Sequence, residues 1–262
     1  MNIIVCIKQV PGSNKVEVDP VTGVLKRDGQ DSKMNPYDLY ALETAIQLKE
    51  THGGHVSVIT MGPPSAEEVI REAFSMGADD GYLITDRKFA GADVLATAYT
   101  ISQGVRMAGH FDVIITGKQT TDGDTAQVGP EMSEYLDIPC IANVISIESV
   151  RARGMRVSMD MQTAIERSYI GFPCLISVDK DIHQPRLPSY LKKKASKDKV
   201  IRRITFADLA DQDESKYGLS GSPTQVKRIF PPAVNDKREL FRGESKTLSE
   251  NIASKLKEHK FI

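Results

Sequence analysis

The sequence predicts an α/β protein: a doubly wound, mostly parallel sheet with an extended C-terminal arm. Three observations point there. Short runs rich in β-branched residues alternate with stretches of helical apolar spacing. Several of the runs, such as 111–116 (FDVIIT), read as strands buried on both faces. Gly and Pro punctuate the joins between them.

Asn2 to Val10 is the first strand, ended by Pro11 and Gly12. Val16 to Val18 and Val24 to Lys26, joined through Asp19 to Gly23, read as a β-hairpin with a long loop. Asn35 is placed to cap a helix with its side-chain oxygen, and Pro36 suits the first helical position. Leu39, Leu42, Ile46 and the stem of Lys49 form its stripe, and Gly53-Gly54 stops it. His55 to Thr60 is a second strand. Ser65 to Glu68 reads as a capping box, with Val69, Ile70, Ala73 and Phe74 continuing an amphipathic helix to Gly77. Gly81 to Thr85, a helix from Asp93 to Ala108, the strand Phe111 to Thr116 and a helix from Val128 to Leu136 complete the alternating pattern.

From Ile141 to Val178 strands dominate: Ala142–Val150, Arg156–Met161, Ile165–Ile170 and Cys174–Val178, partly antiparallel. After Asp179 the periodicity fades. Arg186 to Arg203 carries eight basic residues and one acidic. Only Leu248, Ile252 and Leu256 restore a helical stripe. The expected organisation is an α/β nucleotide-binding domain over 1–185 and an arm over 186–262. A lone amphipathic helix must dock to hide that stripe, on its own domain or on a partner.

Composition sets outer limits. The chain has 262 residues, 40% hydrophobic and 26% charged, enough for a core without disulfide or metal staples. With 34 Lys and Arg against 35 Asp and Glu, the formal charge is −1. This argues against whole-surface attraction to nucleic acid or membrane. No apolar run approaches the roughly 20 residues that span a bilayer. The apolar opening reads as a strand, not a signal peptide. Cys6, Cys140 and Cys174 are far apart, odd in number and set in apolar runs. They read as reduced, buried thiols of a cytoplasmic protein.

Ligands of open parallel sheets bind beyond the carboxyl ends of the strands. The most informative such loop runs Gly117, Lys118, Gln119, Thr120, Thr121, Asp122, Gly123, Asp124, Thr125, Ala126, Gln127, Val128, Gly129. Its amides and the adjoining helix N-terminus suit a phosphate. An ordinary polar loop with a capping threonine is the plain alternative. Neither a Walker A motif nor a G-x-G-x-x-G fingerprint is present. His52 and His55 have no carboxylate or cysteine cluster to complete a metal site. No nucleophile elbow occurs. The Lys192-Lys193-Lys194 run lacks an aromatic platform and favours a solvated or protein-docking segment over nucleic acid.

Several motifs in order resemble the β subunit of electron transfer flavoprotein across nearly the whole chain. They are Lys8-Gln9-Val10-Pro11, Met34-Asn35-Pro36-Tyr37-Asp38, Met76-Gly77-Ala78-Asp79, the loop 117–130, Gln184-Pro185-Arg186 and Phe241-Arg242-Gly243-Glu244-Ser245. The resemblance implies a heterodimer with an α subunit that carries FAD. It implies a nucleotide held by Cys6, Asn35, Pro36, Tyr37, Asp38, Met61 and Gly117 to Val128, with no catalytic side chain. In respiratory members that nucleotide is a structural AMP. In electron-bifurcating members it is a second FAD, which takes a hydride from NADH and sends one electron to ferredoxin and one to the α-subunit FAD. AMP-binding members tend to carry Asn and Thr where this chain has Ala126 and Val128, so the resemblance favours the bifurcating group. Where many members dock acyl-CoA dehydrogenases, this chain reads Leu187-Pro188-Ser189-Tyr190-Leu191-Lys192, pointing to a different flavin dehydrogenase, of the lactate dehydrogenase or enoyl-CoA reductase kind. Two alternatives stand beside this reading: the respiratory type with AMP, and a non-redox ATP- or AMP-binding module. Replacing Gly123 by Val is expected to weaken flavin retention by restricting a tight turn.

Overall fold

The computed structural model describes residues 1–12, 32–225 and 238–262. Residues 1–12 and 32–225 belong to one compact unit, and 238–262 to a second. The hairpin expected over 16–26 lies outside the described residues.

The first unit is built on a nine-stranded sheet. Its parallel part uses β1 (Asn2–Cys6), β4 (His55–Met61), β5 (Asp80–Ile84), β6 (Val113–Gly117), β7 (Cys140–Arg151), β10 (Cys174–Val178) and β11 (Ile201–Ile204). β8 (Gly154–Asp160) and β9 (Ile165–Gly171) extend it antiparallel beyond β7. The order across the sheet is β11-β5-β4-β1-β6-β10-β7-β8-β9. A two-stranded antiparallel pair, β2 (Gln9–Pro11) with β3 (Ser32–Met34), stands apart from it. The class expected from the sequence is the class observed.

Helices cover both faces. α1 (Pro36–His52) and α2 (Glu67–Met76) pack on one side, with Leu42, Ile46, Ile70 and Phe74 against Ile3, Val5 and Val58. α3 (Val94–Ala108) and α4 (Val128–Leu136) pack on the other, with Ala98, Ile101 and Met132 against Ile4, Ile59 and Ile114. Alternate residues of one strand thus feed two cores, which is why the strands read as continuous apolar runs.

Two helix starts differ from expectation. Asn35 precedes α1, but its side chain makes no capping bond, because it is engaged elsewhere. The capping box at Ser65 is absent as well. A short 3-10 turn over Pro64–Ala66 comes first, α2 starts only at Glu67, and Ser65 Oγ donates to Gln9 Oε1 at 3.2 Å. Asp93 does cap α3, accepting from the Ala96 amide at 3.1 Å.

The basic stretch is more structured than its composition suggested. β11 pairs in parallel with β5 at the sheet edge. Its two arginines are exposed and each has a partner: Arg203 Nη2 bonds Glu67 at 2.6 Å, and Arg202 Nη1 donates to the Tyr82 hydroxyl at 2.9 Å. Charged residues on an edge strand also deter pairing with another chain. Beyond it, Phe206, Leu209 and Tyr217 are buried in the α3–α4 core. The compact unit therefore runs past 185. A short helix, α5 (Tyr190–Ala195), packs beside α2, with the Ser189 amide donating to Ser75 O at 2.9 Å. In the second unit, α6 (Ser245–Glu258) carries the expected stripe, and its Ile252 and Leu256 are exposed.

Candidate functional site

The strand order reverses at β1. The chain runs outward from β1 through β4 to β5, then α3 carries it back across to β6 on the other side of β1. Connections after β1 and β6 therefore leave in opposite directions and open a crevice at the carboxyl end. Cys6 pairs with Thr116 across this boundary, and with Ile59 on β4. The residues expected to form a site converge here: Cys6 ends β1, Met61 ends β4, Gly117 ends β6, Asn35 to Asp38 start α1, and Lys118 to Gln127 link β6 to α4. Cys6, Met61 and Val128 all lie against the α3–α4 core.

Asp38 ties three of these segments together. It is buried, and its carboxylate accepts from the Lys8 amide at 2.7 Å and from Asn35 Nδ2 at 3.0 Å. Gly117 is pressed against it: a Cβ there would lie 2.5 Å from Asp38 Oδ1 and 2.7 Å from the Tyr37 carbonyl carbon. Burial lifts the Asp38 carboxyl to about 7, outweighing the Asn35 and Lys8 donors that favour the ion. The folded chain then keeps a proton that the unfolded chain releases near 3.8. Asp38's contribution to stability is accordingly full below about pH 4 and lost as pH rises through about 7. Asp38→Asn should remove this falling component from the pH dependence of the urea midpoint, so the difference between wild type and variant should shift steadily in the variant's favour as pH rises through about 7. Burial and the Asp38 carboxylate also push the Cys6 thiol up, which keeps it protonated and unreactive.

The long loop is held from behind. Asn35 Nδ2 donates to Gln119 O at 2.9 Å, and the Thr121 amide donates to Asn35 Oδ1 at 3.2 Å. Lys8 Nζ grips both oxygens of Asp122 at 2.8 Å. Burial opposes the Asp122 charge, but the lysine outweighs it and holds the carboxyl below its ordinary range. Lys118 Nζ bonds Asp179 at 2.8 Å. Thr120 closes a turn, accepting from the Gly123 amide at 3.3 Å and the Asp124 amide at 3.0 Å.

Past Asp124 the loop backbone is unsatisfied. The amides of Thr125, Ala126, Gln127, Val128 and Gly129 donate to no acceptor among the described residues; the first bond of α4 runs from the Glu131 amide to Gln127 O. Gln127 offers no side-chain cap, so the capping-threonine alternative is not realised. Thr116 Oγ1, buried at the end of β6, likewise has no partner among the described residues, and lies 3.0 Å from where a Gly129 Cβ would stand. Free amides, a helix N-terminus and an unpaired hydroxyl at one place suit an anion such as a phosphate or diphosphate. Lys8 and Thr116 were not among the expected site residues. Lys8 belongs to a strand-end motif that the sequence did display, whereas nothing local marks Thr116.

The strain in the loop also falls elsewhere than expected. Gly123 does not adopt a left-handed conformation, and a Cβ on it would meet only Thr120 Oγ1, at 3.3 Å. Asp124 and Ala126 hold positive φ instead, 53° and 56°. Gly123→Val therefore restricts no left-handed turn, and the expected loss of flavin retention has no basis in the backbone here. Ala126→Gly should stabilise the chain by up to ~1 kcal/mol, read as a raised urea midpoint, because a Cβ at left-handed φ costs about that much.

Cys6, Cys140 and Cys174 are free; Cys174 is buried, and the other two are partly exposed. Among the described residues, no group of three or more His, Cys, Asp or Glu could hold a metal ion, and no helix is long and apolar enough to cross a membrane.

A doubly wound sheet with an anion-suited loop at its switch point defines a nucleotide-binding α/β architecture. Comparison with known proteins narrows this. The family model for the electron transfer flavoprotein domain matches residues 22–209. The chain is 42% identical over 262 residues to electron transfer flavoprotein subunit beta of Clostridium acetobutylicum, covering 100% of both. It is 40% identical over 268 residues to subunit CarD of the caffeyl-CoA reductase-Etf complex of Acetobacterium woodii, again covering 100% of both. Protein FixA of Sinorhizobium fredii is 39% identical over 267 residues, 98% of this chain and 92% of that one. The chain belongs to the electron transfer flavoprotein family, and its likeness to the Clostridium β subunit runs over the full length of both.

Proposed function

We propose that this chain is the β subunit of an electron-bifurcating electron transfer flavoprotein, holding FAD at the carboxyl end of β1 and β6. The observation that carries the reading is the 117–129 loop: five amides without acceptors among the described residues precede α4 or open it, and Ala126 is smaller and Val128 less polar than the Asn and Thr that AMP-binding members tend to carry, which leaves room for a diphosphate. The likeness to a subunit of a reductase-Etf complex supports it. FAD, when bound, would supply the redox chemistry, hydride acceptance from NADH and one-electron transfer, while the protein supplies binding and position.

The chain's own residues bind and position. Thr125 to Gly129 would offer amides, Thr116 a hydroxyl, and Cys6, Met61 and Val128 an apolar rim. Pro36, Tyr37, Asp38 and Lys118 to Asp124 would frame the cradle. Asp122 is engaged by Lys8, and Cys6 stays a thiol.

The same reading supplies the partners. The α subunit would be gripped by the 238–262 arm, whose Ile252 and Leu256 need cover. A flavin dehydrogenase would dock on Leu187, Tyr190 and Leu191, exposed at 86%, 78% and 75% within a lysine-rich rim. Ferredoxin would take the other electron.

An absorbance spectrum of the purified α–β pair, with its flavin-to-protein ratio, tests this. Two flavins per heterodimer, with reduction by NADH, is the expected result. One flavin plus AMP would instead support the respiratory type. ATP or AMP with no flavin would support a non-redox module.

A further inference from the structure

We propose that Asn35 is a positioning residue: its side chain sets the shape of the 117–128 loop from behind and does not touch the ligand. This rests on the reading of that loop as a nucleotide site. The family resemblance places Asn35 among the nucleotide contacts; its geometry assigns it another role.

Asn35 is 0% exposed. An asparagine amide has two N–H donors and one carbonyl acceptor. Both donors are used, one on Gln119 O and one on Asp38 Oδ1, and the carbonyl accepts from the Thr121 amide. The orientation is fixed chemically as well as sterically. Gln119 O can only accept and the Thr121 N–H can only donate, so a flipped amide would oppose like to like at both contacts. The backbone of Asn35 is engaged too, its amide donating to Lys8 O at 2.8 Å and its carbonyl accepting from the Asp38 amide at 2.9 Å. Nothing on this residue is left to offer a ligand except through the loop.

The consequence lies a few residues downstream. Asn35 pins positions 119 and 121, and Lys8 pins 122. The chain then turns through Thr120 and the left-handed Asp124 and Ala126 into the free amides of 125–129. Asn35 thus presents those amides without meeting what they bind.

Asn35→Asp tests this, because it preserves shape and removes the donor. The new carboxylate would face Gln119 O and Asp38, and the pair would need to share a proton. Binding of FAD alone and of AMP alone to the purified full-chain complex should weaken at least tenfold relative to wild type at about pH 8.5, and the deficit should shrink to about threefold near pH 5.5, where the carboxyl pair is protonated and can donate again. A side chain that touched the ligand directly would have to leave the loop, so the Thr121 amide would lose its Asn35 acceptor and its protection when nucleotide binds. In wild type, hydrogen exchange should find the Thr121 amide protected with and without nucleotide, while amides 125–129 gain protection only on binding.

Equal binding by variant and wild type at the higher pH overturns the proposal. So does an equal deficit at both pH values, or loss of Thr121 protection when nucleotide binds. The exchange measurement needs no variant and decides the matter if Asn35→Asp fails to fold. If wild type binds neither FAD nor AMP, the site reading itself falls and takes the positioning role with it; that result is distinct from a wild type that binds beside a variant that is unaffected.

Discussion

Replacing Arg186 by methionine is expected to lower stability by about 3 kcal/mol, since removing one member of a buried ion pair strands the other. Arg186 makes two bidentate contacts: Nε and Nη2 with Glu43 at 2.8 and 3.0 Å, and Nη1 and Nη2 with Glu50 at 2.6 and 2.9 Å. Its amide also donates to Glu43 at 3.1 Å. Glu43 is the vulnerable partner. It is buried in α1, with Gln47 as its other side-chain donor. Burial raises its carboxyl, and Arg186 more than reverses that. Without the guanidinium, Glu43 must take up a proton or remain as a stranded ion. Glu50 is half-exposed, and its contact should matter little. Adding Glu43→Gln to Arg186→Met should restore much of the loss, because both partners are then uncharged. Urea denaturation of the two variants measures this. A single variant within about 1 kcal/mol of wild type would show that the pair is not structural. Because Arg186 immediately precedes Leu187 to Leu191, the variant should also loosen the proposed dehydrogenase-docking segment.

Gly117→Ala is expected to cost about 2–3 kcal/mol, the range for forcing extra volume into a packed site. The added methyl would lie 2.5 Å from Asp38 Oδ1, 2.7 Å from the Tyr37 carbonyl carbon and 2.8 Å from Tyr37 Cβ. None of these can easily retreat. Tyr37 is in the first turn of α1, and Asp38 is held by Lys8 and Asn35. The end of β6 must instead move away from α1, which pulls the loop off its Asn35 clamp. Nucleotide retention should fall together with stability. Gly123→Ala supplies the contrast: with only Thr120 Oγ1 nearby, it should change stability by less than about 0.5 kcal/mol. Equal effects of the two substitutions in urea would refute the close approach as the cause.

Much of the fold was legible because its signals are local. Val128–Leu136 and Cys174–Val178 are observed with the bounds their apolar patterns suggest. β11 was not legible. Arg202 and Arg203 are both exposed in it, and a four-residue edge strand has too little alternation to stand out in a basic run. The site was legible as a segment rather than a mechanism. The glycines, threonines and aspartates of 117–129 marked the loop, yet the glycine singled out for strain, Gly123, is unstrained, while Asp124 and Ala126 carry the positive φ.

Asn35 shows where the sequence stops. An Asn before Pro at a helix start reads as a cap on local grounds. Its side chain instead meets Gln119, 84 residues away. By itself the sequence determined the succession of strands and helices, the polar loop between β6 and α4, and a family resemblance that the comparisons support. Hydrophobic period, turn residues and motif order are properties of neighbouring residues, and they survive reading along the chain. Only the tertiary structure decided that the strand order reverses at β1, that β10 sits between β6 and β7, and that Asn35, Lys8 and Asp38 stand behind the loop. Those arrangements are set by burial and hydrogen-bond satisfaction between distant residues, which no local pattern encodes.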